Sequence, residues 1–154
     1  MKGKIEKLPV SGHIYIWKYI DNERNYPGWN ITMDNLANQG VINLLDLMDQ
    51  CEWSTNKTIT TSQPTSREID VANNRQGHSR WIARPKITFS LVTKKPANHW
   101  LTTETSDELE ISFGREKLRE LREAIVQIPN AKGDYSIADE YDESIVTFWW
   151  RLRK

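Results

Sequence analysis

The chain has 154 residues, with 21 basic side chains against 21 acidic ones, 27% charged residues and 38% apolar ones. This balance excludes a disordered chain and fits one globular domain spanning 1–154, and zero net charge leaves no global field to gather nucleic acid or an anionic membrane. A single cysteine, Cys51, excludes an intrachain disulfide, and at the end of an apolar helical run it reads as a small packed hydrophobe.

The first ten residues are charged and read as a loosely ordered segment. They lack the apolar stretch of roughly 7–15 residues that a signal peptide carries. No run approaches the roughly 18 apolar residues of a membrane span, so the expected location is cytoplasmic, with no membrane partner.

His13 to Ile20 alternates Ile14, Ile16 and Ile20 with Tyr15, Trp17 and Tyr19, the pattern of a strand apolar on both faces. Asp21 to Gly28 is rich in turn formers. Thr32 or Asp34 caps a helix whose apolar face runs Met33, Ala37, Val41, Leu44, Leu45 and Met48. Gly40 weakens its middle by about 1 kcal/mol relative to alanine.

Lys57 to Ser62 predicts a strand, Thr65 to Ser79 an irregular stretch, and Arg80 to Thr93 one long or broken strand with Pro85 at an edge or bulge. His99 to Thr103 and Glu108 to Phe113 follow as strands. Leu118, Leu121, Ile125 and Ile128 then mark one face of a helix from Arg115 to Ile128, flanked by Glu116–Arg119 and Arg119–Glu123 pairs. Asp134–Ile137 and Ile145–Leu152 read as two strands around an acidic turn. The order β-α-β-β-β-β-α-β-β predicts an α+β fold, with a single, mostly antiparallel sheet of about six to seven strands and two helices packed on one face.

Three passages carry a resemblance: Tyr26-Pro27-Gly28-Trp29-Asn30-Ile31-Thr32, the stretch Val71 to Arg75, and Gly133-Asp134-Tyr135-Ser136-Ile137 followed by Phe148-Trp149-Trp150. Together they resemble a family of small uncharacterised bacterial proteins that share a YPGW turn, a helical stretch and a GDYSI…FWW ending. The resemblance implies a bacterial cytosolic protein and carries no activity or site residues. Ala138 departs from it, standing where a glycine would ease the turn.

Chemistry-bearing motifs are sparse. His13, His78 and His99 lack metal-ligand spacing, and no phosphate loop or nucleophile elbow is present, so no metal and no cofactor are expected. Two clusters remain. Arg75, His78, Arg80, Trp81 and Arg84 combine guanidinium groups with an aromatic ring, the chemistry of a phosphate or nucleotide site; the bland reading is a solvated loop with Trp81 in the core. Asp134, Tyr135, Asp139, Glu140, Tyr141, Asp142 and Glu143 set carboxylates and phenols on one hairpin, suited to a basic protein; the bland reading is a solubilising turn. Trp149 belongs to a two-faced strand and faces a groove or a dimer interface if that strand lies at an edge or one sheet face lacks a helix.

The function expected from these features is non-catalytic: a protein-binding or regulatory accessory protein, of which a toxin-neutralising, immunity-like protein is one form. A basic protein or a second copy in a homodimer is the expected partner, and nucleic acid is not. The alternative is a small-ligand or nucleotide-binding protein, or an enzyme, with its site at Arg75–Arg84.

Overall fold

The computed structural model describes residues 2–20, 27–72, 80–130 and 134–150. A short helix α1 (Lys2–Lys7) leads into β1 (Ile14–Tyr19), β2 (Trp29–Met33) and α2 (Asn35–Asp49). Then come β3 (Thr55–Thr60), α3 (Ser66–Ala72), β4 (Trp81–Ile82), β5 (Lys86–Leu91), β6 (Trp100–Glu104) and β7 (Glu108–Phe113). Helix α4 (Arg115–Gln127) runs into a 3-10 turn (Ile128–Asn130) and is followed by β8 (Tyr135–Ile137) and β9 (Val146–Phe148). No helix among the described residues is long and apolar enough to cross a membrane.

The class is α+β, but the strands form two mixed sheets rather than one mostly antiparallel sheet. One has five strands in the order β4-β1-β2-β9-β8, the other four in the order β3-β5-β7-β6. Each contains one parallel pair, β2 with β9 and β5 with β7. The single-sheet expectation rested on consecutive strands lying side by side, and alternation names the buried face of a strand without naming its neighbour. The described residues include four helices rather than two.

Both sheets turn an apolar side toward one interior. Ile14, Ile16, Trp29, Ile31 and Met33 from the first sheet meet Ile87, Phe89, Leu91, Leu109, Ile111 and Phe113 from the second, together with the apolar stripes of α2 and α4. Ion pairs cross-link these helices: Arg122 Nε lies 2.6 Å from Asp46 and Arg119 Nε 3.7 Å from Asp49. Arg119 therefore reaches the neighbouring helix rather than Glu116 or Glu123 within its own.

The opposite face of the first sheet carries a second cluster, in which Trp17, Tyr19 and Trp149 pack with Ile69 of α3. Alternation in β1 divides the two: Ile14 and Ile16 enter the main core, Trp17 and Tyr19 the aromatic cluster.

Three elements depart from the sequence reading. Residues 2–7 are helical rather than loose, and Ile5 is fully buried. Trp29–Met33 is a strand with all five residues buried; Gly28 enters it at φ 77°, and a Cβ there would meet the Ile145 carbonyl oxygen at 2.1 Å. Helix α3 fills part of the stretch expected to be irregular. Its start is a capping box, in which Glu68 accepts from the Thr65 backbone N–H at 2.7 Å and from its hydroxyl at 2.8 Å.

Candidate protein-binding surface

Strands β8 and β9 are joined by the acidic segment 138–145, and one carboxylate organises it. Asp139 Oδ1 accepts the backbone N–H groups of Glu143 at 2.7 Å and Ser144 at 2.8 Å. The Asp139 carbonyl accepts the N–H of Asp142, which sits at φ 55°, a left-handed conformation that aspartate tolerates. The Ser144 and Glu143 amides hold the Asp139 carboxyl below its ordinary 3.8. A carboxyl kept ionised is the reverse of what a general acid at neutral pH needs.

Ser144 fixes the loop to the other sheet. Its hydroxyl accepts the Thr102 N–H at 3.0 Å and its carbonyl accepts the Trp100 indole N–H at 2.8 Å, both from β6. The remaining acids, Glu140, Asp142 and Glu143, point to solvent around Tyr141, which is 73% exposed. Asp134 and Tyr135 are also exposed, and the Tyr135 hydroxyl donates to Glu120 at 3.0 Å. Burial, and then the Glu120 carboxylate, raise the Tyr135 phenol above its ordinary 10.0.

Beside the loop lies a cleft of about 490 Å³, lined by Pro96, His99, Glu116, Lys117, Glu140 and Tyr141 among others. The first turn of α4 brings Glu116 and Lys117 to the cleft, held there by the Ala97 carbonyl, which accepts the N–H of Glu116 at 2.9 Å and of Lys117 at 3.3 Å. Gly114 permits that approach, since a Cβ there would meet the Pro96 and Ala97 carbonyl oxygens at 2.3 and 2.5 Å. Lys117 Nζ donates to Glu120 at 3.0 Å and to the Ala138 carbonyl at 3.3 Å. His99 Nε2 lies 3.0 Å from Ser112 Oγ, and burial, with the charge of Lys95, lowers its pKa from 6.5.

Comparison with protein-family models, curated proteins and solved structures finds no match. The resemblance carried by the YPGW and GDYSI…FWW passages therefore rests on those passages alone.

The arginine cluster is brought together only in part. Arg75 and His78 lie outside the described residues. Arg80 is exposed, and its carbonyl accepts the Ile20 N–H at 3.0 Å. Trp81 is half-buried against the aromatic cluster. Arg84 is engaged within the fold: its Nε donates to the Thr105 carbonyl at 2.6 Å, a terminal nitrogen lies 3.7 Å from Glu104, and the guanidinium sits 5.6 Å from the Trp29 ring centroid.

Trp149 is buried, with its indole N–H donating to Asn30 Oδ1 at 2.7 Å and Ile69 of α3 packed against the cluster it belongs to. One condition set for a groove here, a sheet face without a helix, is not met, since Ile69 of α3 packs on this face. No group of three or more histidine, cysteine or acidic side chains is placed to hold a metal ion among the described residues. His99, Glu116 and Lys117 join the loop's surroundings without having been expected there, because tens of residues separate them from it in the chain and no spacing motif links them.

Proposed function

We propose that this chain is a non-catalytic binding protein that presents its 140–143 loop to a basic surface of a protein partner, in the manner of a regulatory or toxin-neutralising accessory protein. The observation that carries the reading is the division of roles among the loop carboxylates. Asp139 turns inward and holds the backbone, while Glu140, Asp142 and Glu143 turn outward around an exposed tyrosine. A loop ordered before binding loses less conformational entropy on association, and clustered like charge speeds encounter with an opposite surface. Tyr141 supplies contact area at the centre of the patch.

The test is capture of a partner from the native cell by the tagged chain, beside a variant carrying Glu140→Lys, Asp142→Lys and Glu143→Lys. Asp139 is left intact, because reversing it would also undo the loop. A partner retained equally by both proteins would contradict the reading.

A further inference from the structure

We propose a second binding site, at the free edge of β3, that takes an extended acidic peptide segment of a partner protein as an added strand. It lies on a different surface from the 140–143 loop and does not depend on it.

Among the described residues, strand β3 is the outer strand of its sheet and pairs with β5 alone. Their register places Thr60 opposite Lys86, and just beyond it the Thr61 N–H donates to the Pro85 carbonyl at 2.9 Å. Backbone groups along an antiparallel strand alternate in direction. Ile59 and Lys57 therefore turn theirs toward β5, and Thr60, Thr58 and Asn56 turn theirs outward. Ser62, next in the outward series, donates its N–H to the Ile14 carbonyl at 2.8 Å, so the edge already accepts a strand at that point. Upstream of Ile14 the chain turns at Gly12, φ 85°, and stays beside β3 through Leu8–Val10, yet the outward backbone groups of Thr60, Thr58 and Asn56 have no backbone partner among the described residues.

A groove of about 490 Å³ opens there, with Leu8, Pro9, Val10 and His13 on one wall and Lys57 to Ser62 on the other. Unpaired strand-edge groups beside a groove with apolar walls are what strand addition uses: backbone hydrogen bonds give affinity and alternate side chains enter the groove. Charge selects the occupant. Among the described residues no carboxylate lines the groove, and Lys57 donates only to the neutral Glu6 carbonyl, at 2.9 Å. An acidic residue in the added strand meets that ammonium.

The probe is a phage-displayed library of random peptides, selected on the immobilised chain, with bound peptides followed by amide exchange and NMR. The expected result is selection of acidic, extended peptides that slow exchange at Thr58 and Thr60 while leaving Lys57 and Ile59, already paired to β5, unchanged. Thr60→Pro, which removes one outward donor at an edge position that tolerates proline, then weakens binding about tenfold. Lys57→Gln removes the preference for acidic peptides, and the Glu140→Lys, Asp142→Lys, Glu143→Lys protein binds as the wild type does. Failure to select any peptide overturns the proposal, as does binding without the alternating protection. A dimer sensitive to Thr60→Pro in sedimentation also overturns it, by making a second copy the occupant.

Discussion

The Asp139 carboxylate and the Ser144 backbone N–H lie 2.8 Å apart, and Ser144 in turn holds Thr102 and Trp100 of β6. One short contact thus ties the acidic loop to itself and to the opposite sheet. Asp139→Ala is expected to cost about 1–2 kcal/mol of stability and to speed amide exchange at Glu143 and Ser144. Glu140→Gln, one residue along and turned to solvent, should stay within about 0.5 kcal/mol of wild type. Chemical denaturation of the two variants side by side checks the difference.

Acid should loosen the same region from two sides. The folded-state pKa of Asp139 is lowered from 3.8 and that of His99 from 6.5, so in both cases the unfolded chain binds the proton more readily. The stability each group adds is present above its ordinary value and is lost as pH falls through its folded value. His99 should act first, as pH falls below 6.5, and Asp139 only below 3.8. Denaturation midpoints across that range, compared with those of His99→Gln and Asp139→Asn, should show the wild type losing its advantage in that order.

Arg115 joins the start of α4 to the end of α2. Its guanidinium donates to the Asp49 carbonyl at 2.6 Å, to Asp49 Oδ1 at 3.1 Å and to the Cys51 carbonyl at 2.6 Å. A planar fork spans these acceptors and a single ammonium does not. Arg115→Lys is therefore expected to lose about 1–3 kcal/mol, nearly as much as Arg115→Ala. Full stability in the lysine variant would show that charge alone suffices.

Asn30 links Trp17 and Trp149 of the aromatic cluster, accepting from the Trp149 indole at 2.7 Å while its amide donates to the Trp17 carbonyl at 3.3 Å. Trp149→Phe leaves a buried acceptor without its donor and should cost about 1–3 kcal/mol beyond any loss of packing. The double variant with Asn30→Leu should recover part of that loss. A double-mutant cycle measures the coupling directly.

Much of this architecture could be read from the chain. Glu108–Phe113 appears as a strand with the bounds its alternation predicts, and α4 begins at Arg115 as its stripe requires. Asp34 caps α2, accepting the Ala37 N–H at 2.9 Å. The break at Pro85 separates β4 from β5 because proline cannot donate within a ladder. Strand pairing was not legible, since the Ile14–Met33 pairing and the parallel pairing of Trp29 with Val146 depend on contacts the local pattern does not encode. The strand Trp29–Met33 was not legible because Asn30 and Thr32 are polar residues in a strand buried throughout, and Thr32 reads equally well as a helix cap. Helix α3 has a local signal, since Thr65 and Glu68 stand at capping-box spacing, but the polar stretch around them carries no apolar stripe to support it.

The candidate surface divided in the same way. Its acidic residues were evident from composition, but the inward role of Asp139 was not, since Asp139, Glu140, Asp142 and Glu143 look alike in the chain. Backbone geometry distinguishes them. The arginine cluster looked coherent because its members are close in sequence, yet Arg84 turns to Glu104, Thr105 and Trp29 within the fold.

The most direct test of the account is partner capture by the wild-type chain beside the Glu140→Lys, Asp142→Lys, Glu143→Lys variant, with circular dichroism confirming that both are folded. The account predicts a basic partner retained by the wild type and lost by the variant at equal stability. A partner held equally by both, or no partner held by either, would contradict it.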